Sequence, residues 1–287
     1  MVRTLALSST RKSQDFLQSG SSRHVSSKFM RESLLSERVK RSSEAELRLL
    51  LPDASVVQIG GKLIDGGGVT LMPVIEEIRS NLKTHKMVVA AGSGKRARHV
   101  IAVGEDLGLP TGVLAELRRL DTELNSHILG ALLAPDGIAE LTHAEMVRIL
   151  PAMLDISHGA VFNSVPPYDL WEQPSPISSI TPQTGADMGA FLFADTCGVS
   201  DLIYVRDVDG LFTADPKQDS HASLIKNASA LELMESGPKT ACIDYDVIKA
   251  LISSRLVKRI LIVNGLKRGR LTAALNGENA GTIITKG

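Results

Sequence analysis

Two hydrophobic patterns alternate along the chain from about residue 49. Continuous apolar runs over residues 56–59 and 87–91 are typical of strands that are buried on both faces. Between them, residues 70–82 place leucine, valine and isoleucine three or four positions apart, which predicts an amphipathic helix. This alternation predicts an α/β fold, in which helices cover both faces of a mainly parallel sheet.

The same patterns continue towards the end of the chain. Further helices are predicted from Gly94 to about residue 107 and over residues 113–133, 143–150, 186–196, 230–235 and 244–256. Further strands are predicted over residues 159–162, 201–205, 259–263 and 282–285. Residues 164–185 are rich in proline and serine and predict a long loop, a feature that is usually functional or mobile. No linker interrupts residues 49–287, so we expect one domain there.

Residues 1–48 differ from the rest of the chain and are predicted to form a basic N-terminal arm. Residues 1–43 contain nine Lys and Arg against three Asp and Glu, and they are rich in serine. Three interpretations stay open: a flexible basic tail, an organelle transit peptide, and an arm that orders against a neighbouring subunit. Asp15, Glu32 and Glu37 argue against the transit peptide, because acidic residues are rare in such segments.

Composition argues against several classes of protein. The formal net charge is zero, so the overall charge gives no indication of a nucleic-acid or membrane partner. No apolar run approaches the roughly 18 residues that a membrane span needs. Cys197 and Cys242 lack metal or redox spacing. Two free thiols are typical of the reducing cytoplasm, which is the predicted location.

Two glycine turns follow the first two predicted strands. The first strand ends in Gly60 and Gly61 with Lys62 behind them, and the second ends in a turn with the sequence Gly92-Ser93-Gly94, followed by Lys95 and Arg96. A glycine pair alone is more often a tight connection than a ligand site. Two such turns at one sheet edge can present backbone N–H groups and positive charge to a polyphosphate or another oxyanion. Neither turn has P-loop or dinucleotide-fingerprint spacing.

Two further motifs lie in the second half of the chain. Asp187 stands near the start of a predicted helix, where alone it is best interpreted as an N-cap. In the segment 209–216, Asp209 and Gly210 predict one turn, and Asp215 and Pro216 predict another. The extended stretch between the two turns is suited to line a planar ring.

Together these motifs resemble the amino-acid kinase superfamily, most closely its molybdenum storage proteins, which are relatives of uridylate kinase. The resemblance covers residue 50 to the end. It implies a three-layer αβα sandwich with ATP across the strand ends, the phosphates held by the glycine turns, and Asp187 with Lys62 at the reacting groups or a magnesium ion. The nucleotide-binding residues that it implies are Gln58, Gly60, Gly61, Lys62, Gly92, Ser93, Gly94, Arg96, Asp187, Asp209, Gly210, Phe212, Thr213, Ala214, Asp215 and Pro216.

The resemblance implies that like subunits assemble into a hexameric cage, which in some cases includes a second related subunit type. The resemblance implies that ATP hydrolysis is coupled to the packing of molybdate or tungstate into oxide clusters inside the cage. Asn125 and His127 lie in a segment that resembles one facing the cluster cavity, so they are the predicted cluster ligands. The alternative for Asn125 is an ordinary polar helix face. The run of histidines that follows Pro-Pro-Tyr in one storage subunit type is absent, because residues 169–171 are Asp-Leu-Trp.

Gln58 departs from the superfamily pattern, which usually has lysine there. A cation beside the transferring phosphoryl group contributes roughly 10²–10³ in rate, and glutamine brings no charge. Lys62 and Lys95 are candidate substitutes, and Arg206 stands in another position where relatives often have lysine. The sequence therefore predicts nucleotide binding with at most weak ATPase activity. A UMP-type small-molecule kinase and a catalytically silent nucleotide-binding partner subunit stay open as alternatives.

Overall fold

An eight-stranded sheet runs through the centre of the protein, as seen in a computed structural model of the chain. The structure describes residues 49–165, 185–199, 201–216, 218–236 and 242–287. Residues 49–287 belong to one unit. The predicted arm over residues 1–48 and most of the predicted loop over residues 164–185 lie outside the described residues, so both stay predictions.

The described residues contain ten strands and nine α-helices. The strands are β1 Ala54–Ile59, β2 Lys86–Ala91, β3 Ala139–Leu141, β4 Gly159–Asn163, β5 Asp201–Arg206, β6 Leu211–Phe212, β7 Leu224–Ile225, β8 Asn227–Ser229, β9 Arg259–Asn264 and β10 Thr282–Thr285. The helices are α1 Gly61–Asp65, α2 Gly68–Asn81, α3 Lys95–Asp106, α4 Thr111–Leu133, α5 His143–Ile156, α6 Ala186–Cys197, α7 Ala230–Ser236, α8 Tyr245–Ser253 and α9 Arg270–Leu275.

The main sheet confirms the predicted α/β class. Its strand order is β3-β4-β2-β1-β5-β9-β10-β8, and every neighbouring pair is parallel except β9 and β10. β1 lies near the middle, with Val57 in register with Val89 of β2 and Ile203 of β5. All six residues of β1 are buried, as the continuous apolar run predicted. β6 and β7 form a separate antiparallel pair.

Two hydrophobic cores lie on the opposite faces of this sheet. Successive β1 residues alternate between them, since Val56 belongs to one core and Val57 to the other. Each fully buried aliphatic side chain contributes roughly 1.5–3 kcal/mol to stability. Helices cover both faces, so the three-layer arrangement is confirmed.

Some elements differ from the prediction. α5 continues past Pro151 to Ile156 instead of ending near residue 150. Its start is fixed by a capping box between Thr142 and Glu145. α8 ends at Ser253, because the next residue is extended. The short elements α1, α9, β3, β6, β7 and β8 went unpredicted, because two to six residues are too few to show a period.

Candidate functional site

A cleft of about 690 Å³ opens at the carboxyl ends of β1, β2 and β5. This edge of a parallel sheet is where open α/β folds bind ligands. Eleven of the predicted nucleotide-binding residues line the cleft: Gln58, Gly60, Gly61, Lys62, Ser93, Gly94, Asp187, Gly210, Phe212, Asp215 and Pro216. Its lining also includes Arg98, Arg118, Arg206, Asp207, Cys242 and Asp244. Four of the lining residues are basic and four are acidic, so the cleft is electrostatically mixed.

The two glycine turns pack directly against each other. The N–H of Gly92 donates to the carbonyl of Ile59 at 2.9 Å. A Cβ on Gly61 would lie 1.8 Å from the Ser93 carbonyl oxygen, and a Cβ on Gly92 would lie 2.4 Å from that of Ile59. The chain therefore needs glycine at both positions for close backbone approach, whether or not a ligand is bound.

A buried polar network crosses the floor of the cleft. The side-chain oxygen of Gln58, which is 1% exposed, accepts a hydrogen bond from Nη1 of Arg206. Nη2 of Arg206 lies 2.8 Å from Oδ1 of Asp187, and its Nε donates to the Cys242 carbonyl at 2.7 Å. The guanidinium carbon lies 4.9 Å from the ring centroid of Tyr204. Arg206 thus brings a cation beside Gln58, but Asp187 pairs with its charge.

Asp187 does not act as the N-cap of α6. Its Oδ2 instead accepts the backbone N–H of Asp244 at 3.2 Å, which joins the starts of α6 and α8. Desolvation by the surrounding cleft wall and repulsion from Asp187 raise the pKa of Asp244 to about 6. Asp244 could not be predicted as a neighbour of Asp187, because 57 residues separate the two along the chain.

Carboxylates of the chain itself balance the cations at the start of α3. Oδ2 of Asp65 accepts the backbone N–H of Lys95 at 2.5 Å, in the place where a helix N-terminus would hold an anion. Nε of Arg96 lies 3.5 Å from Oδ1 of Asp121. Burial raises the pKa of Asp121, and Arg96 offsets this in part. Arg96 does not line the cleft. Because Asp65 and Asp121 balance these positive groups, the cations there do not by themselves require a bound phosphate. Neither carboxylate was predicted from the sequence.

Segment 209–216 forms one wall of the cleft. Phe212 lines the cleft and pairs with Leu224 in the β6–β7 strand pair. Thr213 and Ala214, which follow it, do not line the cleft. Asp209 faces away from the cleft towards Lys267 and Asn264, which donate to it at 2.8 and 3.0 Å. Burial favours a higher pKa for Asp209, but these two hydrogen bonds outweigh it and lower the pKa.

Asn125 and His127 point in opposite directions from α4. Asn125 is fully buried, and its side chain donates to the Gly92 carbonyl at 2.7 Å and accepts from Arg96. The His127 side chain is 82% exposed, and its Nδ1 lies 2.6 Å from Oε2 of Glu140. The structure therefore does not bring the two predicted cluster ligands together. Asn125 instead supports the second glycine turn.

The described residues fit a nucleotide-bound magnesium ion better than a metal site made of protein alone. No group of three or more His, Cys, Asp or Glu in the described ranges is arranged to hold a metal ion. Magnesium bound to nucleotide phosphates needs only one or two protein carboxylates, and Asp187 and Asp244 lie together at the cleft. Nζ of Lys62 lies 3.4 Å from Asp207 at the rim.

The amino acid kinase family model matches residues 54–264, which is most of the chain and includes every strand of the cleft. The chain belongs to the amino acid kinase family. Its sequence is 39% identical over 245 residues to the molybdenum storage protein subunit beta of Azotobacter vinelandii, covering 85% of this chain and 90% of that protein. This relative confirms the resemblance to the molybdenum storage proteins.

Uridylate kinases are more distant relatives of this amino acid kinase family member. The uridylate kinase of Thermofilum pendens is 28% identical over 244 residues, covering 80% of this chain and 97% of that protein. The uridylate kinase structure from Archaeoglobus fulgidus has a TM-score of 0.64 and 22% identity, covering 81% of this chain and all of that one. The UMP kinase structure from Bacillus anthracis has a TM-score of 0.64 and 16% identity, covering 82% and 97%. These structures support the fold alone. No helix in the described part of the chain is both long and apolar enough to cross a membrane.

Proposed function

We propose that the chain is an ATP-binding subunit of a cage that stores molybdate or tungstate as oxide clusters. The observation that carries this proposal is the 39% identity to a molybdenum storage subunit across 85% of the chain, against 28% for the uridylate kinase of Thermofilum pendens. By this proposal the partners are like subunits in a hexamer, with or without a second subunit type, and the oxometalate is the cargo.

The cleft supports the nucleotide part of the proposal. Its volume of about 690 Å³ falls in the range of roughly 300–1,000 Å³ typical of small-ligand sites. Gly60, Gly61 and Gly94 line the cleft with backbone, which phosphate oxygens can approach closely. Phe212 offers an aromatic surface for the base. Asp187 and Asp244 would hold the magnesium ion, which neutralises phosphate charge when bound.

Arg206 and Gln58 support weak rather than efficient phosphoryl transfer. Arg206 is buried, and its guanidinium already contacts Gln58, Asp187 and the Cys242 carbonyl. A cation held in this way has little freedom to follow the charge that develops on a transferring phosphoryl group. We therefore propose slow ATP hydrolysis at most.

A tungstate soak tests the proposal directly. Crystals soaked with ATP, magnesium and tungstate should show nucleotide in the cleft and strong tungsten density in a cavity between subunits, near the exposed His127. Nucleotide without any tungsten density would instead favour a silent nucleotide-binding subunit. The UMP-kinase alternative rests on the uridylate kinase relatives. It predicts ADP formation that depends on UMP, and an acceptor screen without such dependence would exclude it.

A further inference from the structure

Arg118 of α4 lines the cleft as a half-buried cation that was not predicted from the sequence. Two other basic residues of the lining are already engaged within the chain. Lys62 pairs with Asp207 at the rim, and Arg206 is fixed in the polar network of the floor. Arg98 is exposed on α3. The positive charge of Arg118, in the wall of the cleft, is therefore the one whose ligand has to be found.

The strand order places Arg118 at the end of the cleft opposite the base. α4 packs against β2 and β4, whereas segment 209–216 follows β5 on the other side of β1. The glycine turns after β1 and β2 lie between these two sides. A nucleotide whose base lies against Phe212 therefore runs its phosphates past Gly60 and Gly61 towards α4. Its terminal phosphate is then the group that comes nearest Arg118.

Asp244 and Arg118 face each other beside Gly185, the residue that precedes α6. A Cβ on Gly185 would lie 2.8 Å from Oδ2 of Asp244 and 3.9 Å from Nη1 of Arg118, so the two charged groups converge on one point. Desolvation lowers the pKa of Arg118, and the charges of Asp244 and Glu105 offset part of this effect. The guanidinium keeps its charge, because arginine is not deprotonated in proteins. Asp244 is therefore a counter-ion of Arg118 within the chain itself.

Asp244 is also one of the two proposed magnesium ligands, and these two roles compete. A carboxylate that contacts a divalent cation has less negative charge to offer a neighbouring guanidinium. When Asp244 engages a nucleotide-bound magnesium ion, Arg118 needs another anion. A terminal phosphate suits it, because a guanidinium can donate two parallel hydrogen bonds to phosphate oxygens.

We infer that Arg118 binds the terminal phosphate of a nucleoside triphosphate, which replaces Asp244 as its counter-ion when the magnesium-bound nucleotide enters the cleft. This inference rests on the nucleotide part of the proposed function and deepens it. Arg118 supplies positive charge at the far end of the phosphate chain, whereas Gln58 brings none to the floor. The cleft thereby distinguishes a triphosphate from a diphosphate, whose phosphates end before they reach α4.

Calorimetry with magnesium and either ADP or a non-hydrolysable ATP analogue tests this distinction. Arg118→Met should weaken binding of the analogue at least about tenfold and that of ADP less than about twofold, because only the triphosphate reaches the guanidinium. Arg118→Lys keeps the charge without the planar fork and should give an intermediate loss. Arg119→Met is the matched control on the same helix. Arg119 pairs with Glu116 and Glu123, does not line the cleft, and should be replaceable without a change in either affinity.

The outcomes separate this inference from the proposed function. A parent that binds the analogue, together with Arg118→Met that binds it equally well or loses both nucleotides to the same extent, would overturn the role of Arg118 alone. A parent without affinity for either nucleotide would overturn the nucleotide part of the proposed function as well. Circular dichroism establishes that each variant is folded.

The affinity for ATP without magnesium tests the exchange with Asp244. Asp244→Asn removes the counter-ion and one negative charge, so it should tighten binding of magnesium-free ATP. The gain should be at least about threefold larger when Arg118 is present than in the Arg118→Met background, because only then is a cation released to the phosphates. Equal gains in the two backgrounds would show that Asp244 acts through its own repulsion of the phosphates, and would overturn the exchange.

Discussion

Replacing Gln58 with lysine restores the residue that the superfamily usually has, and the structure predicts that this change is costly. Lysine cannot accept the hydrogen bond from Arg206, and a hydrogen bond to a charged group is worth about 1.5–3 kcal/mol. The new ammonium would also lie beside the buried guanidinium. Two like charges about 4 Å apart repel by about 4 kcal/mol at an effective dielectric constant of 20, and Asp187 offsets part of this. We expect a net loss of about 4 kcal/mol.

Thermal unfolding measures this loss. For a domain of this size, about 4 kcal/mol corresponds to a fall in Tm of roughly 8–16 °C. Gln58→Met is the matched control, since it removes the hydrogen bond without adding charge and should lower Tm by roughly 3–12 °C, less than the lysine variant does. Saturating ATP should raise the Tm of the lysine variant more than that of the methionine variant, because polyphosphate relieves the repulsion. Equal Tm values for the two variants would refute the argument that Arg206 excludes a second cation.

Three other changes test parts of the site. Gly61→Ala should destabilise the protein by at least about 2 kcal/mol in urea unfolding, whereas Gly68→Ala, where a Cβ has nothing closer than 3.9 Å, should not. The folded-state pKa of Asp244 lies above its unfolded value, so the folded protein takes up a proton as the pH falls through about 6. This group therefore favours folding at low pH, and calorimetry should show the affinity for magnesium and ATP falling below about pH 6 in the parent, because Asp244 loses the charge that would hold the magnesium ion, whereas Asp244→Asn should show a flatter pH profile. Asp65→Asn should strengthen sulfate binding about two- to fivefold, as the charge beside the Lys95 N–H is lost. Unchanged sulfate affinity would contradict this assignment.

The predictable parts of the site follow from local sequence patterns, namely apolar runs that end in glycine turns. The strands before both glycine turns are continuous apolar runs, and the carboxyl ends of parallel strands meet at one edge, so Gly61 and Ser93 could be placed together. The contact of Gln58 with Arg206 could not be predicted, because 148 residues separate them and only the β1–β5 pairing, in which Gln58 is in register with Tyr204, brings them close. Asp65 lies in a five-residue helix that has no periodic signal.

The separation of the two predicted cluster ligands could have been foreseen from the sequence. Asn125 and His127 are two positions apart, and residues with this spacing lie on opposite sides of a helix. The burial of Asn125 against the second glycine turn required the fold, because it depends on how α4 packs over β2.

Metal retention tests the central claim most directly. The full chain is purified from cells grown with tungstate, kept with ATP and magnesium, and its tungsten content per chain is measured by mass spectrometry after gel filtration. Storage as oxide clusters predicts several tungsten atoms per chain in the assembled fraction, with a marked fall when ATP is withheld. Tungsten at or below background in the presence of ATP and magnesium would contradict the storage function.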